Sequence, residues 1–127
     1  MNNFNFVLWL GRIGLIFLII SLGTVIDYFA HQTSPFFSVP FIYFPHKIFY
    51  GTLWAFIGYL VFKRYIKQSF WLAFTISIVP ATALQIMYFI QMHLTLWVVI
   101  LFLVGHFFMF LIPGFLICKK YKNIFIS

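Results

Sequence analysis

The sequence predicts an all-α integral membrane protein, a bundle of four transmembrane helices with both termini cytoplasmic. Three observations carry that expectation. Of the 127 residues 65% are hydrophobic, 24% aromatic and only 7% charged, with a mean hydropathy of +1.08, outside the range of soluble domains. The cations come in groups: Arg12, then Lys63, Arg64 and Lys67, then Lys119, Lys120 and Lys122 bound long stretches of little charge, with Lys47 the only other cation. Between them these stretches hold four segments that approach the roughly 20 residues a span requires. With four spans, seven of the eight cations share one face with the termini and only Lys47 lies opposite, the asymmetry expected of a cytoplasmic face.

The first span is placed at about Phe6 to Ala30. Arg12 followed by the apolar run Ile13 to Ile26 imitates a secretory signal. Cleavage at Ala30 is not expected, because the position three before the cut should be small and here is Asp27 or Tyr28. The stretch Gln32 to Pro45, QTSPFFSVPFIYFP, holds three prolines and the aromatics Phe36, Phe37, Phe41, Tyr43 and Phe44. It is too proline-rich for a regular helix and too apolar for a solvated linker, so it is expected to lie along the outer interface as an aromatic cap. The second span runs from Lys47 to Phe62, with a start as early as Pro45; the third from Ser69 to Gln91; the fourth from Thr95 to Cys118. Small residues let helices approach closely in lipid. On that basis Gly51, Ala55 and Gly58 of the second span are expected to face Ala73, Ser77 and Ala81 of the third. Pro80 is expected to kink the third span, and Pro113 with Gly114 to weaken the end of the fourth. No inverted repeat suggests a transporter, and the spans leave no room for a soluble domain, so residues 1–127 form one domain.

The formal charge of +7 reads as topology together with attraction to anionic headgroups. The lipid bilayer is the expected environment, a prokaryotic plasma membrane the expected location, and membrane-protein partners or a homo-oligomer remain open. Nucleic acid is not expected, since no basic domain exists to bind it. Cys118 is the one cysteine and makes no intrachain disulfide.

Asp27 is the only acidic residue. A lone carboxylate near a span is costly and calls for a partner. On a helix Asp27 and His31 are four residues apart, project from one face about 6 Å apart along the axis, and can share a cation. His46, at the start of the next span, is the natural third ligand, and His93, in the turn between the third and fourth spans, a possible fourth. Imidazole with carboxylate suits copper, zinc or iron better than calcium or magnesium. The competing explanation is a plain ion pair between Asp27 and Lys47. His106 lies roughly 16 Å into the fourth span at 1.5 Å per residue, near the middle of the bilayer. Its expected partner is Gln85 of the third span, as a buried orienting hydrogen bond. Haem is the weaker cofactor expectation, because nothing pairs with His106 at matched depth on a facing helix.

The stretch Asp27 to His46, DYFAHQTSPFFSVPFIYFPH, resembles the metal-binding segment of the C subunit of the copper-containing membrane monooxygenases, the particulate methane and ammonia monooxygenases. In that family an Asp, a His four residues on, and a second His on the next transmembrane helix bind copper, and archaeal members carry the His-Gln-Thr-Ser of His31 to Ser34. The resemblance covers 20 of the 127 residues, and the interval from His31 to His46 is longer than the family's usual one. It implies copper held by Asp27, His31 and His46, in an accessory or divergent subunit.

Two classes of function follow. The first is a small membrane protein with a transition-metal site at the outer face, a subunit of a membrane metalloenzyme or a metal-handling protein. The second is a non-catalytic structural or interaction subunit in which Asp27 only pairs with Lys47. Whether the chain is an enzyme stays open. Classical hydrolase chemistry is not expected, for there is no second carboxylate, no Ser nucleophile motif, no CxxC and no Gly-rich phosphate loop.

Overall fold

The computed structural model describes residues 3–35 and 38–126, whose regular structure is entirely helical. Four long helices, α1 (Asn3–His31), α2 (Tyr43–Phe62), α3 (Ser69–Met92) and α4 (Leu96–Lys120), precede the single turn α5 (Lys122–Phe125). Helices α1 and α3 each pack against both α2 and α4, so the four surround one core. Three of them are long and apolar enough to cross a membrane, as Asn5–His31, Ser69–Met92 and Leu96–Lys120. The outside matches: Phe17, Phe49, Leu101, Phe108 and Leu116 are exposed, a surface suited to lipid rather than water. Helix α2 falls short of that apolarity because its 20 residues open on Pro45, His46 and Lys47. The chain is a multi-pass membrane protein.

Helix α2 begins earlier than its sequence suggests, at Tyr43. Pro45 does not prevent this, because the first-turn N–H groups have no intrahelical acceptor and a proline there forfeits nothing. Tyr43 and Phe44 turn back instead, their N–H groups donating to the carbonyls of Pro40 at 3.0 Å and Phe41 at 3.1 Å. Phe44 is buried, its ring 5.1 Å from that of Tyr28 and 5.7 Å from His31, while Phe41 stays exposed. Phe36 and Phe37, two aromatics of the expected cap, lie outside the described residues.

Glycines set the helix spacing. A Cβ on Gly23 of α1 would come within 2.9 Å of the Met109 carbonyl of α4, and one on Gly58 of α2 within 2.8 Å of Val79 in α3. Gly51 packs on Ile20 and Leu84. On α3, Ser77 and Ala73 of the stripe also meet α4: a Cβ on Gly114 would stand 3.4 Å from Ser77 Oγ and 3.9 Å from Ala73. Gly58 thus serves the seam of α2 with α3, and Gly114 that of α4 with α3. Pro80 and Pro113 are both buried inside continuous helices.

One end of the core is closed by the C-terminal turn. Phe125 is buried against Tyr59 with rings 5.7 Å apart, Tyr59 Oη donates to the Phe125 carbonyl at 2.6 Å, and Arg12 Nε donates to that of Ile124 at 2.8 Å. Arg12 and Lys63 both lie on the Trp9 ring, at 4.4 and 4.5 Å from its centroid. The basic residues of α1 and the end of α2 thus meet the C-terminal turn at the same end.

Candidate functional site

Each long helix sends a titratable or amide side chain into the other half of the core. Asp27 comes from α1, Lys47 from α2, Gln85 from α3 and His106 from α4, all four buried. The choice follows from helical periodicity. Asp27 continues the inward row of Ile16, Ile20 and Gly23; Lys47 precedes Gly51, Ala55 and Gly58; Gln85 follows Ala81; His106 precedes Phe110 and Pro113.

Lys47 is the hub. Its Nζ donates to Asp27 Oδ2 and lies 2.6 Å from His106 Nε2. The imidazole is also 3.4 Å from Asp27 Oδ1, and His31 reaches the same oxygen at 3.4 Å through Nε2. On its other edge His106 Nδ1 is 2.7 Å from the Phe102 carbonyl and 3.3 Å from Gln85 Nε2. An ammonium has three donors and no acceptor. Lys47 beside Nε2 therefore makes that nitrogen the acceptor, which leaves Nδ1 to carry the proton and donate to Phe102. The ammonium also lies 4.3 Å from the Tyr43 ring centroid, a cation–π contact, and Tyr43 shares a side-chain hydrogen bond with Tyr88. The one negative charge and the one positive charge in the cluster cancel, which is the condition for keeping either in an apolar core.

Above the cluster is a cavity of about 990 Å³, lined by Asp27, Gln85 and His106 at its polar side and by residues such as Met87, Leu101 and Met109 elsewhere. His31, Tyr43, His46 and residues 38–40 of the connection between α1 and α2 also line it.

The positions of the expected ligands differ from one another. Asp27 and His31 converge. His46 is exposed on the cavity wall, its ring 5.1 Å from that of Tyr50 one turn along α2. Successive helical residues point about 100° apart, so the inward register given to Lys47 turns His46 aside. His93 is exposed and forms the left-handed C-cap of α3 at φ 51°. Among the described residues no group of three His, Cys, Asp or Glu is arranged to hold a metal ion. Gln85 does lie beside His106, but the imidazole also reaches Asp27, a juxtaposition the depth argument missed. A usable signal was present: Lys47 stands four residues before Gly51 on the small-residue stripe, which turns its side chain toward the core.

No known protein family, curated protein or solved structure matches this chain.

Proposed function

We propose that this chain is a four-span membrane protein with cytoplasmic termini that binds a small molecule in its outward half. The supporting observation is the Asp27–Lys47–His106 cluster at one side of a cavity of about 990 Å³. Ligand pockets are typically about 300–1,000 Å³, largely apolar, with a few convergent polar groups. Helix α2 is the fourth span in this reading, its lysine neutralised internally by Asp27. The cytoplasmic assignment rests on the gathering of Arg12, Lys63 and the C-terminal turn at the opposite end from the cavity. Binding is tested on purified protein in nanodiscs by extracting and identifying co-purifying small molecules. Wild type should retain a defined one, and a variant that fills the cavity should not.

The approach of His31 to Asp27 supports a second reading, a copper or zinc ion at Asp27, His31 and His46 with Lys47 withdrawn from the carboxylate. Elemental analysis of folded, chelator-free protein decides it: a stoichiometric metal lost in Asp27→Asn and His31→Ala sustains the reading, and its absence from wild type ends it. The structural-subunit alternative, in which Asp27 only pairs with Lys47, draws on the same ion pair and predicts no bound small molecule or metal at all.

A further inference from the structure

The polar side of the cavity restricts what can sit there. Lys47 and Asp27 cancel, so the ion pair leaves no net charge to compensate an ionised ligand. Transfer of an unpaired charge into such a site is strongly unfavourable. A ligand is therefore neutral at its polar end.

Gln85 sets the rest. Its residue is 2% exposed, it lines the cavity, and its Oε1 has no hydrogen-bond partner. The nitrogen placed 3.3 Å from His106 Nδ1 faces a ring N–H, since Lys47 occupies the other ring nitrogen. Turning the amide over removes that donor–donor contact: its oxygen then shares, at 3.3 Å, the Nδ1–H already donated to the Phe102 carbonyl at 2.7 Å, and its NH₂ takes the unpartnered position. One orientation leaves an acceptor to be satisfied and the other a donor. A hydroxyl group answers either, whereas a carbonyl answers only the second and an ammonium only the first, with an uncompensated charge. The walls beyond, including Met87, Leu101 and Met109, suit an apolar body.

Resting on the binding function above, we propose that the cavity takes a neutral amphiphile with a hydroxyl head, a long-chain or polycyclic alcohol, whose hydroxyl is held by Gln85. The head lies beside the Asp27–Lys47–His106 cluster and the hydrocarbon along the apolar walls.

The test uses the full chain in nanodiscs with three probes of equal chain length: dodecanol, dodecanoate and dodecylammonium. Each is measured by displacement of a fluorescent alkyl alcohol. Dodecanol should bind at least about 100-fold tighter than either ion, a ratio equivalent to two factors of ten in Kd. Gln85→Leu should weaken dodecanol about tenfold and leave the ions unchanged. Gly105 lines the cavity and a Cβ there would meet nothing within 4 Å, so Gly105→Leu puts side-chain bulk into the site and should abolish dodecanol binding. Binding unaffected by Gly105→Leu would place the alcohol elsewhere and overturn the proposal. Ions binding as tightly as the alcohol would overturn the hydroxyl assignment while leaving the cavity a binding site. Failure of all three probes, and of the fluorescent alcohol itself, would remove the binding function along with it. If Gln85→Leu loses its helical signal, Gln85→Glu takes its place: a carboxylate there should reverse the preference toward dodecylammonium, and an unchanged preference overturns the role of Gln85.

Discussion

Removing Lys47 tests whether the cluster is held by charge. Lys47 is fully buried and Asp27 is 2% exposed, so Lys47→Met strands a carboxylate whose remaining neighbours are two imidazoles at 3.4 Å. Breaking a buried pair from one side costs about 3–5 kcal/mol, whereas replacing both partners with apolar side chains is often neutral or stabilising. Lys47→Met should therefore lose at least about 3 kcal/mol, and Asp27→Leu with Lys47→Met should recover most of it. Recovery stays incomplete because His106 Nε2 then lacks its donor, an omission worth about 1–3 kcal/mol for a buried polar group. With each single change costing at least about 3 kcal/mol and the double about 1–3 kcal/mol, the coupling should be at least about 3 kcal/mol, well above the roughly 0.6 kcal/mol average for interhelical hydrogen bonds in membranes. Reversible unfolding in mixed micelles, followed by far-ultraviolet circular dichroism, gives all four corners of the cycle. Additivity within about 0.5 kcal/mol, or a Lys47→Met protein as stable as wild type, would refute the reasoning.

The helix seams predict a contrast between glycines. Gly23→Ala drives a methyl into Phe110 and the Met109 carbonyl and should destabilise by about 1–3 kcal/mol, while Gly14→Ala, with open space around its Cβ, should gain up to about 1 kcal/mol from helix propensity; the same unfolding assay compares them. Tyr59→Phe deletes the bond to the Phe125 carbonyl and should cost about 1 kcal/mol, with faster tryptic cleavage at Lys119, Lys120 and Lys122. For topology, single cysteines at Gln91 and Asn123 in a Cys118→Ala background should react with an impermeant maleimide from opposite sides of right-side-out vesicles, and labelling of both from outside would refute cytoplasmic termini.

Much of the architecture was legible because lipid imposes simple demands. Runs such as Ile13 to Ile26 and Leu96 to Ile112 have to be helical, since only a helix satisfies its own backbone within an apolar medium. The start of α2 was less legible. Pro45 reads as a helix breaker, yet in a first turn its missing N–H is immaterial. At the site, Asp27 stood out by its charge and His31 by its spacing, and the two meet. His46 and Lys47 are adjacent, and choosing between them required knowing which face of α2 turns inward. His106 was harder still, because counting along α4 gives its depth from the start of that helix alone, and no residue count ties that zero to Asp27 near the end of α1. Helices of unequal length and offset bring residues level that counting from their ends keeps apart.

The placement of the cluster bears on why the chain has only one carboxylate. Each of the four long helices contributes one polar group to the same level of the core, and each group is answered by another helix: Asp27 by Lys47, Lys47 by His106, His106 by Gln85. Only the amide of Gln85 ends the chain of contacts with an atom unanswered, and it ends it at the cavity. A second carboxylate at this level would leave net negative charge among α1 to α4, since the other buried cation, Arg12, is held at the opposite end of the core by the Ile124 carbonyl. One acid and one base, joined through an imidazole and closed by an amide, fix the register of four helices while leaving a neutral surface of donors and acceptors toward the cavity. That arrangement suits recognition of an uncharged polar head in an apolar setting. It also assigns Asp27 a role that requires no ligand of its own: holding Lys47 in place so that the imidazole, and through it Gln85, is oriented toward the cavity.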